Sequence, residues 1–361
     1  MSEKSNKLNK SDKSNKTSKS RQEIYLDNNA STLLCVDARK EMCKWNRTPI
    51  NPSGISKQSI KARKMIDCGI KKIEKHCKTE GKYKIIFTSG ASESNSLIIR
   101  SVVDGWLLKI DAIPHMVVSS IEHVSILACV NALVKLGRLE VTFINPNIYG
   151  IIEPNDISES IKPNTCLVCV MMANNEIGSI NPIREIAKAS HAKGIPIHCD
   201  VVQSFGKERI DVCDLGIDSM SVSFHKLYGP TGIGLLVLSN NLIKSYNLCG
   251  QINGKQQWGF RAGTENTCSI GGAIVALSDT FKNRLTKNKH LLTLRNLTIK
   301  CLSEKFDYVD YTQIMTKPKS VEEKKGTIVR FCVIGPSQQY AKMYLPSTLL
   351  LCFLSWRKNL C

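Results

Sequence analysis

One lysine stands where a nucleophilic amine would be useful. Lys226 follows a short alternating strand, Ser221–Phe224, and His225 stands beside it. A lysine desolvated at the mouth of an α/β sheet has a lowered pKa, and its neutral amine can hold an aldehyde as a Schiff base. A Gly-Pro turn and a second buried strand, Ile233–Leu238, come next. A surface lysine after a strand would show the same local pattern, so the assignment depends on the rest of the chain.

A strand, a turn of small residues and a helix follow one another early in the chain. Ile85–Phe87 is predicted as the strand and Glu93–Val103 as the helix, with Thr-Ser-Gly-Ala-Ser between them. Such a turn leaves backbone N–H groups free at the positive end of a helix, so Ala91 and Ser92 are candidate phosphate ligands. The Gly-Lys-Ser/Thr ending of a P-loop is missing, and an ordinary βα turn would look the same.

Polar side chains also stand at the carboxyl ends of other predicted strands. Strands alternate with helices, which predicts an α/β fold with a mostly parallel sheet flanked by helices. The predicted strands include Met116–Ser119, Glu140–Asn145, Thr165–Met172 and Ile195–Asp200. The residues at strand ends are Ala91, Ser92, His123, Asn175, Asp200, Gln203, His225 and Lys226. Ligands in such folds bind beyond the carboxyl ends of the strands, so the shared position predicts one ligand site.

These residues match the parts of one cofactor, an aldehyde on a phosphorylated pyridine ring. Lys226 would hold the aldehyde, and Asp200 would keep the ring nitrogen protonated, which makes the ring an electron sink. Gln203 or Asn175 could hydrogen-bond the phenolic oxygen, and His123 could stack on the ring. The phosphate would bind to Ala91, Ser92, Ser223 and His225. The cofactor with these parts is pyridoxal phosphate.

Seven stretches resemble the class V aminotransferase family and, within it, the nitrogen-fixation-type cysteine desulfurases. They are Tyr25–Ala30, Phe87–Ser94, Glu122-His123, Asn174–Gly178, His198–Asp200 with Gln203, Ser223–Pro230 and Arg261–Thr264. They occur in family order and cover roughly Ile24 to Phe281.

The resemblance implies a fold-type I architecture, a homodimer and dependence on pyridoxal phosphate. It implies that Lys226 and His123 are catalytic, that Asp200 pairs with the pyridine nitrogen, and that Thr264 reaches the phosphate of the cofactor in the second subunit. The implied activity converts L-cysteine to L-alanine and passes the sulfur as a persulfide to an acceptor protein, for sulfur transfer or iron-sulfur cluster assembly.

Two departures from the family pattern affect this expectation. Asn51–Ser56 lacks the histidine that follows the family's Asn-Pro-Ser-Ser turn. The Ser-Gly-Ser-Ala-Cys-like loop with the sulfur-accepting cysteine is not found, nor is the arginine for the substrate carboxylate, although Leu345–Leu351 resembles the strand before that loop. We therefore expect a C-terminally truncated chain that binds the cofactor but turns over cysteine slowly. The alternatives are a selenocysteine lyase or transaminase reaction on the same scaffold, or a catalytically inactive binding or assembly subunit.

Composition and spacing limit the remaining functions. The chain has 361 residues and a net charge of +19. The excess is spread along the chain, which favours a lysine-rich surface, with nucleic-acid contact expected only from the basic tail. Of the 15 cysteines, Cys166 and Cys169 form the one C-x-x-C pair, and on a strand they should face opposite ways, which argues against a zinc site. Many cysteines without a disulfide pattern, no signal peptide and no bilayer-length apolar run predict a cytoplasmic protein.

Three segments are predicted. Residues 1–22 form a disordered basic tail, and residues 23–281 form the large cofactor-binding domain, with 23–50 contributing to the small domain. Residues 282–361 form a partial small domain with a linker at 311–326 and a last strand at Leu345–Leu354. Ile24–Leu26 is predicted as a short strand before a polar turn.

Overall fold

The computed structural model describes residues 24–47, 49–308, 330–334, 343 and 345–354, with the backbone alone at 307–308, 330–334 and 350–354. The predicted tail at 1–22 and the linker at 311–326 lie outside the described residues. The helices are α1 (Val36–Trp45), α2 (Lys57–Cys77), α3 (Ala91–Leu107), α4 (Val124–Lys135), α5 (Pro154–Ser160), α6 (Ile183–His191), α7 (Val212–Leu215), α8 (Asn240–Tyr246) and α9 (Thr267–Ser303).

The strands form two sheets. They are β1 (Tyr83–Thr88), β2 (His115–Ser119), β3 (Glu140–Ile144), β4 (Thr165–Cys169), β5 (Ile197–Asp200), β6 (Ser219–Ser223), β7 (Gly234–Ser239), β8 (Asp307–Tyr308), β9 (Arg330–Ile334) and β10 (Leu350–Leu354). The large sheet has the order β1-β7-β6-β5-β4-β2-β3, and the small one has the order β10-β9-β8. In the large sheet β2 to β6 pair in parallel, whereas β7 runs antiparallel to both β6 and β1. The predicted mostly parallel sheet is therefore confirmed, with β7 as its reversed strand.

Helices cover both faces of the large sheet, and the two faces have separate apolar cores. Val168, Val222 and Leu235 belong to one core with residues of α2 and α9, whereas Leu167 and Leu236 belong to the other with residues of α3 and α4. Strands β4 and β7 are buried along their whole length, which explains why they read as continuous apolar runs rather than as alternating ones.

Two expectations about local structure were wrong. Ile24–Leu26 is irregular and exposed rather than a strand. The thiols of Cys166 and Cys169 lie in the same apolar core, because pairing with β2 skips from Thr165 to Leu167 and Cys166 occupies the bulge. Burial raises the pKa of both thiols, and within the described residues no three metal-ligating side chains come together.

Helix α9 packs against α1 and α2, the first two helices of the chain. It continues to Ser303 without a break, past Phe281, where the sequence pattern placed a boundary. Gly272 lets α9 approach α1, because a Cβ there would lie 2.6 Å from Met42 Cγ.

The predicted division into a large and a small domain remains a prediction. Among the described helices, none is both long enough and apolar enough to cross a bilayer.

Candidate active site

A cleft of about 630 Å³ opens at the carboxyl edge of the parallel strands. Nine of the ten residues predicted from the sequence line it, namely Ala91, Ser92, His123, Asn175, Asp200, Gln203, Ser223, His225 and Lys226. Thr264 is exposed and does not line the cleft of its own chain. The prediction that strand-end residues share one site is therefore consistent with their positions in the fold.

Lys226 ends a single 3-10 turn, Phe224–Lys226, directly after β6. This turn carries the amine from the last buried strand position into the cleft, where Nζ donates to the carbonyl oxygen of Asn29. Burial lowers the pKa of Lys226, and the charges of Asp27 and Asp200 act in the opposite direction. A half-buried amine with a lowered pKa is suited to react with a carbonyl carbon.

Asp200 ends β5 and is 4% exposed. Its Oδ1 accepts from the backbone N–H of Val202 at 3.0 Å, and its Oδ2 accepts from Asn95 Nδ2 at 3.0 Å. Burial raises the pKa of Asp200, whereas these two hydrogen bonds lower it. A buried carboxylate of this kind would be stabilised by a further positive charge in the cleft, such as a pyridinium.

The amino end of α3 forms a wall of the cleft. Gly90 is its N-cap, and no side chain caps the helix. Glu93 turns back to accept from the Ser89 N–H at 2.7 Å, and Arg261 Nε donates to Glu93 Oε1 at 3.0 Å. A Cβ at Gly234 would lie 2.6 Å from the Gly90 Cα, so only glycine lets the turn sit so close to β7. An uncapped helix end favours an anion such as phosphate.

Gln203 is fixed by hydrogen bonds at both ends of its amide. Its Nε2 donates to the Asn29 carbonyl at 3.1 Å, and its Oε1 accepts from Lys207 Nζ at 3.1 Å. Burial, followed by the charge of Lys226, lowers the pKa of Lys207 to about 8. Asn175 joins the same group through its carbonyl oxygen, which accepts from Asn29 Nδ2 at 3.3 Å.

The sequence reasoning assigned no role to five residues in or beside the cleft, three of which lie within the stretches that match the family. They are Asp27, Asn29, Asn95, Glu122 and Lys207. Asn95 could have been found because it stands one helical turn after Ala91 and therefore shares its face. Glu122 is 5% exposed, and its Oε1 accepts from the Met171 N–H at 2.5 Å; burial raises its pKa to about 8. No local pattern marks Lys207, whose role follows from the fold.

The cleft fits pyridoxal phosphate on three counts. The uncapped end of α3 faces it, Asp200 is a buried carboxylate, and Lys226 offers a half-buried amine. The sheet, its flanking helices and this cleft define a fold-type I architecture, the class of pyridoxal phosphate-dependent enzymes.

Comparison with known proteins gives the family. The pattern of the family described as Aminotransferase class-V matches residues 24–348, and the chain belongs to that pyridoxal phosphate-dependent family. It is similar to the protein named cysteine desulfurase IscS of Clostridium botulinum, with 34% identity over 315 residues, which are 87% of this chain and 76% of that protein. It is similar to the selenocysteine lyase of Xenopus tropicalis, with 34% identity over 296 residues, covering 76% of this chain and 68% of that protein.

Two solved structures resemble the fold. The structure titled SspA in complex with cysteine has a TM-score of 0.65 and 36% identity, covering 70% of this chain and 72% of that one. A NifS-like protein has a TM-score of 0.74 and 25% identity, covering 90% of this chain and 80% of that one. The family and these neighbours confirm the fold class, the cofactor and a cysteine desulfurase-like enzyme as predicted from the sequence.

Proposed function

We propose that the chain converts L-cysteine to L-alanine, with the sulfur passing to an acceptor thiol as a persulfide. The observation that carries the proposal is a single cleft in which a half-buried amine, Lys226, and a buried carboxylate, Asp200, lie beside the uncapped end of α3. The similarity to proteins named cysteine desulfurases supports the choice of reaction. The structure titled as a complex with cysteine supports the choice of substrate.

Nine of the lining residues have a proposed role toward the cofactor. Lys226 holds the aldehyde carbon, Asp200 pairs with the ring nitrogen, and His123 lies against the ring as the second catalytic residue. Gln203 and Asn175 lie around the ring. The phosphate binds to Ala91, Ser92, Ser223 and His225. Burial, followed by the charge of Lys226, lowers the pKa of His225, which favours the uncharged ring. An uncharged imidazole still has one N–H group, which can donate a hydrogen bond to phosphate. When bound, pyridoxal phosphate supplies an electron sink for the α-carbon.

We also propose an oligomeric state, a domain division, a sulfur acceptor and a cellular compartment for the chain. The chain acts as a homodimer in which Thr264 serves the cofactor of the second subunit, which agrees with the exposure of Thr264 outside its own cleft. Residues 23–281 form the cofactor-binding domain, and residues 282–361 contribute to a smaller one. The sulfur acceptor is a second protein. The free thiols of the described cysteines support a reducing compartment, the cytoplasm.

The proposal is tested by loading the purified chain with pyridoxal phosphate and supplying L-cysteine with dithiothreitol as the acceptor. Alanine and sulfide should form in equal amounts, and Lys226→Ala should abolish both while Lys193→Ala, an exposed control, leaves them unchanged. Borohydride should fix the cofactor to the peptide that contains Lys226. Fixation to another peptide would contradict the assignment of the lysine. The same assay measures whether turnover is slow, which remains a prediction.

Selenocysteine lyase activity is the second candidate, because a relative of that name is 34% identical to this chain. The two activities are separated by competition between L-selenocysteine and L-cysteine at equal concentration. Release of selenide without sulfide would favour the second candidate. Binding of the cofactor with neither product, and without transamination, would favour an inactive assembly subunit.

A further inference from the structure

A chain of hydrogen bonds runs behind the cleft from β6 to His123. The successive pairs are Ser219 Oγ to His198 Nδ1 at 2.9 Å, His198 Nε2 to Asn95 Oδ1 at 2.9 Å, Asn95 Nδ2 to Ser125 Oγ at 3.0 Å, and Ser125 Oγ to His123 Nδ1 at 2.8 Å. Asn95 Nδ2 also donates to Asp200 Oδ2 at 3.0 Å, so the chain touches both the carboxylate and the imidazole of the site.

Hydroxyls and imidazoles can donate or accept, so such a chain can be drawn with two opposite polarities. In one polarity both histidines carry their proton on Nε2. In the other, the Asn95 amide is turned around and both histidines carry it on Nδ1. Burial lowers the pKa of His198 to about 3, so this ring is neutral and holds a single proton in either case.

A backbone group at the His123 end decides the polarity. The N–H of Ser125 donates to His123 Nδ1 at 3.2 Å, which makes His123 the N-cap of α4. A backbone amide cannot act as an acceptor, so Nδ1 must present its lone pair to it. The Ser125 hydroxyl is then free to donate to the same Nδ1, because it accepts from Asn95 Nδ2.

The Asp200 end gives the same answer independently. An ionised carboxylate only accepts, so Asn95 must turn its NH₂ group toward Asp200 Oδ2. The amide oxygen of Asn95 then faces His198 Nε2, which must donate. Asn95 is fully buried, so no water replaces these partners.

We propose that Asn95 and Ser125 are positioning residues that hold His123 as the neutral tautomer with its proton on Nε2. His123 Nε2 has no hydrogen-bond partner among the described residues, and the ring lines the cleft. His123 therefore offers the cleft a hydrogen-bond donor, suited to an anionic oxygen or sulfur of the bound cofactor or amino acid. Nε2 could accept a proton only after the ring proton had moved to Nδ1. That move would break the hydrogen bonds that Nδ1 accepts. This consequence for the reaction rests on the proposed function, whereas the tautomer is a property of the cofactor-free chain.

Nitrogen-15 NMR of the cofactor-free protein, labelled only at histidine, tests the proposal. His123→Gln and His198→Gln identify the two spin systems, and exposed His290 serves as an internal reference. Both His123 and His198 should show an unprotonated Nδ1 and a protonated Nε2. The excess of this tautomer at His123 should be about tenfold greater than at His290, since one cap hydrogen bond is at stake.

The variant Ser125→Ala removes the hydroxyl link and leaves the backbone cap, so the tautomer excess at His123 should fall while His198 is unchanged. Asn131→Ala, at an exposed position of the same helix, should alter neither. A proton on Nδ1 at both histidines would overturn the proposal, because that is the opposite polarity. An unchanged His123 in Ser125→Ala would overturn the role of Ser125 and Asn95. Loss of desulfurase activity alone would bear on the proposed function and not on this inference.

Discussion

At the scale of single residues, the site is built from groups that burial has shifted away from their ordinary behaviour. Burial raises the pKa of Asp200 and lowers that of Lys226. The opposite shifts have one physical cause, because loss of water always disfavours the charged form. Hydrogen bonds from specific partners then stabilise the charged form, as the amide of Asn95 does for the Asp200 carboxylate.

Replacing Asp200 with asparagine should keep the shape of the site and remove its charge. Cofactor binding should persist, whereas exchange of the α-proton of L-alanine in deuterated water should slow about tenfold to a hundredfold, the value of one charge-assisted hydrogen bond. Proton NMR measures the exchange. Asp156→Asn, at an exposed position on α5, serves as the control. An exchange rate in Asp200→Asn equal to that of the unaltered chain would count against the pairing with the ring nitrogen.

Lys207 should give the protein a pH-dependent stability. Its pKa falls from 10.5 to about 8 on folding, so between these values the unfolded state binds more protons than the folded state. The free energy of unfolding therefore increases as the pH rises through this window, by roughly 3 kcal/mol at most, because the cost of burying the charged amine is lost. Urea unfolding at several pH values should show that Lys207→Met loses this increase, whereas exposed Lys193→Met retains it. Parallel stability curves for the unaltered chain and Lys207→Met would contradict the lowered pKa.

At the scale of secondary-structure elements, the site depends on how closely a turn and a strand can approach. The turn before α3 lies directly against β7, and Glu93 with Arg261 holds the other side of that turn. The same sheet edge receives β5 and β6, which end at Asp200 and Ser223. The proposed phosphate site therefore depends on the packing between α3 and β7 as much as on the turn sequence.

Gly234→Ala should displace this turn. The new Cβ would meet the Gly90 backbone at 2.6 Å, so the uncapped end of α3 must move and cofactor affinity should fall by about tenfold or more. Fluorescence titration with pyridoxal phosphate measures the affinity. Gly137→Ala is the control, because it strains the backbone at a positive φ of 68° but nothing lies within 4 Å of the added Cβ. It should lower stability and leave affinity unchanged. Equal affinities in both variants would show that the turn does not hold the phosphate.

At the scale of the whole molecule, α9 connects elements that are far apart in the chain. α9 packs against α1 through Gly272 and against α2 through Ile274, and its Phe281 stacks on His76 with ring centroids 4.0 Å apart. The loop that contains Thr264 leads directly into α9, so the packing of α9 also fixes the position of Thr264. Thr264 is thereby held at the surface, where a second copy of the chain could use it.

Two impaired variants should complement each other if the proposed homodimer shares its sites. In a mixed dimer of Lys226→Ala and Thr264→Val chains, one site contains both changes and the other contains neither. Each pure variant should be impaired, and the mixed dimer should recover about half of the activity of the unaltered dimer. Co-expression with two affinity tags provides the mixed species for the sulfide assay. Activity of the mixed dimer no greater than the average of the two pure variants would contradict a shared site.

The sequence alone determined the strand-end positions of Lys226, Asp200, Gln203 and His123, because strand–helix alternation places carboxyl strand ends at one edge whatever the details of packing. It also determined the family, through motifs in fixed order. Only the tertiary structure decided that β7 is reversed, that Cys166 sits in a bulge, and that Asn95 and Lys207 support the site. These facts depend on contacts between residues far apart in the chain, and desolvation and side-chain pairing exist only once those residues have been brought together.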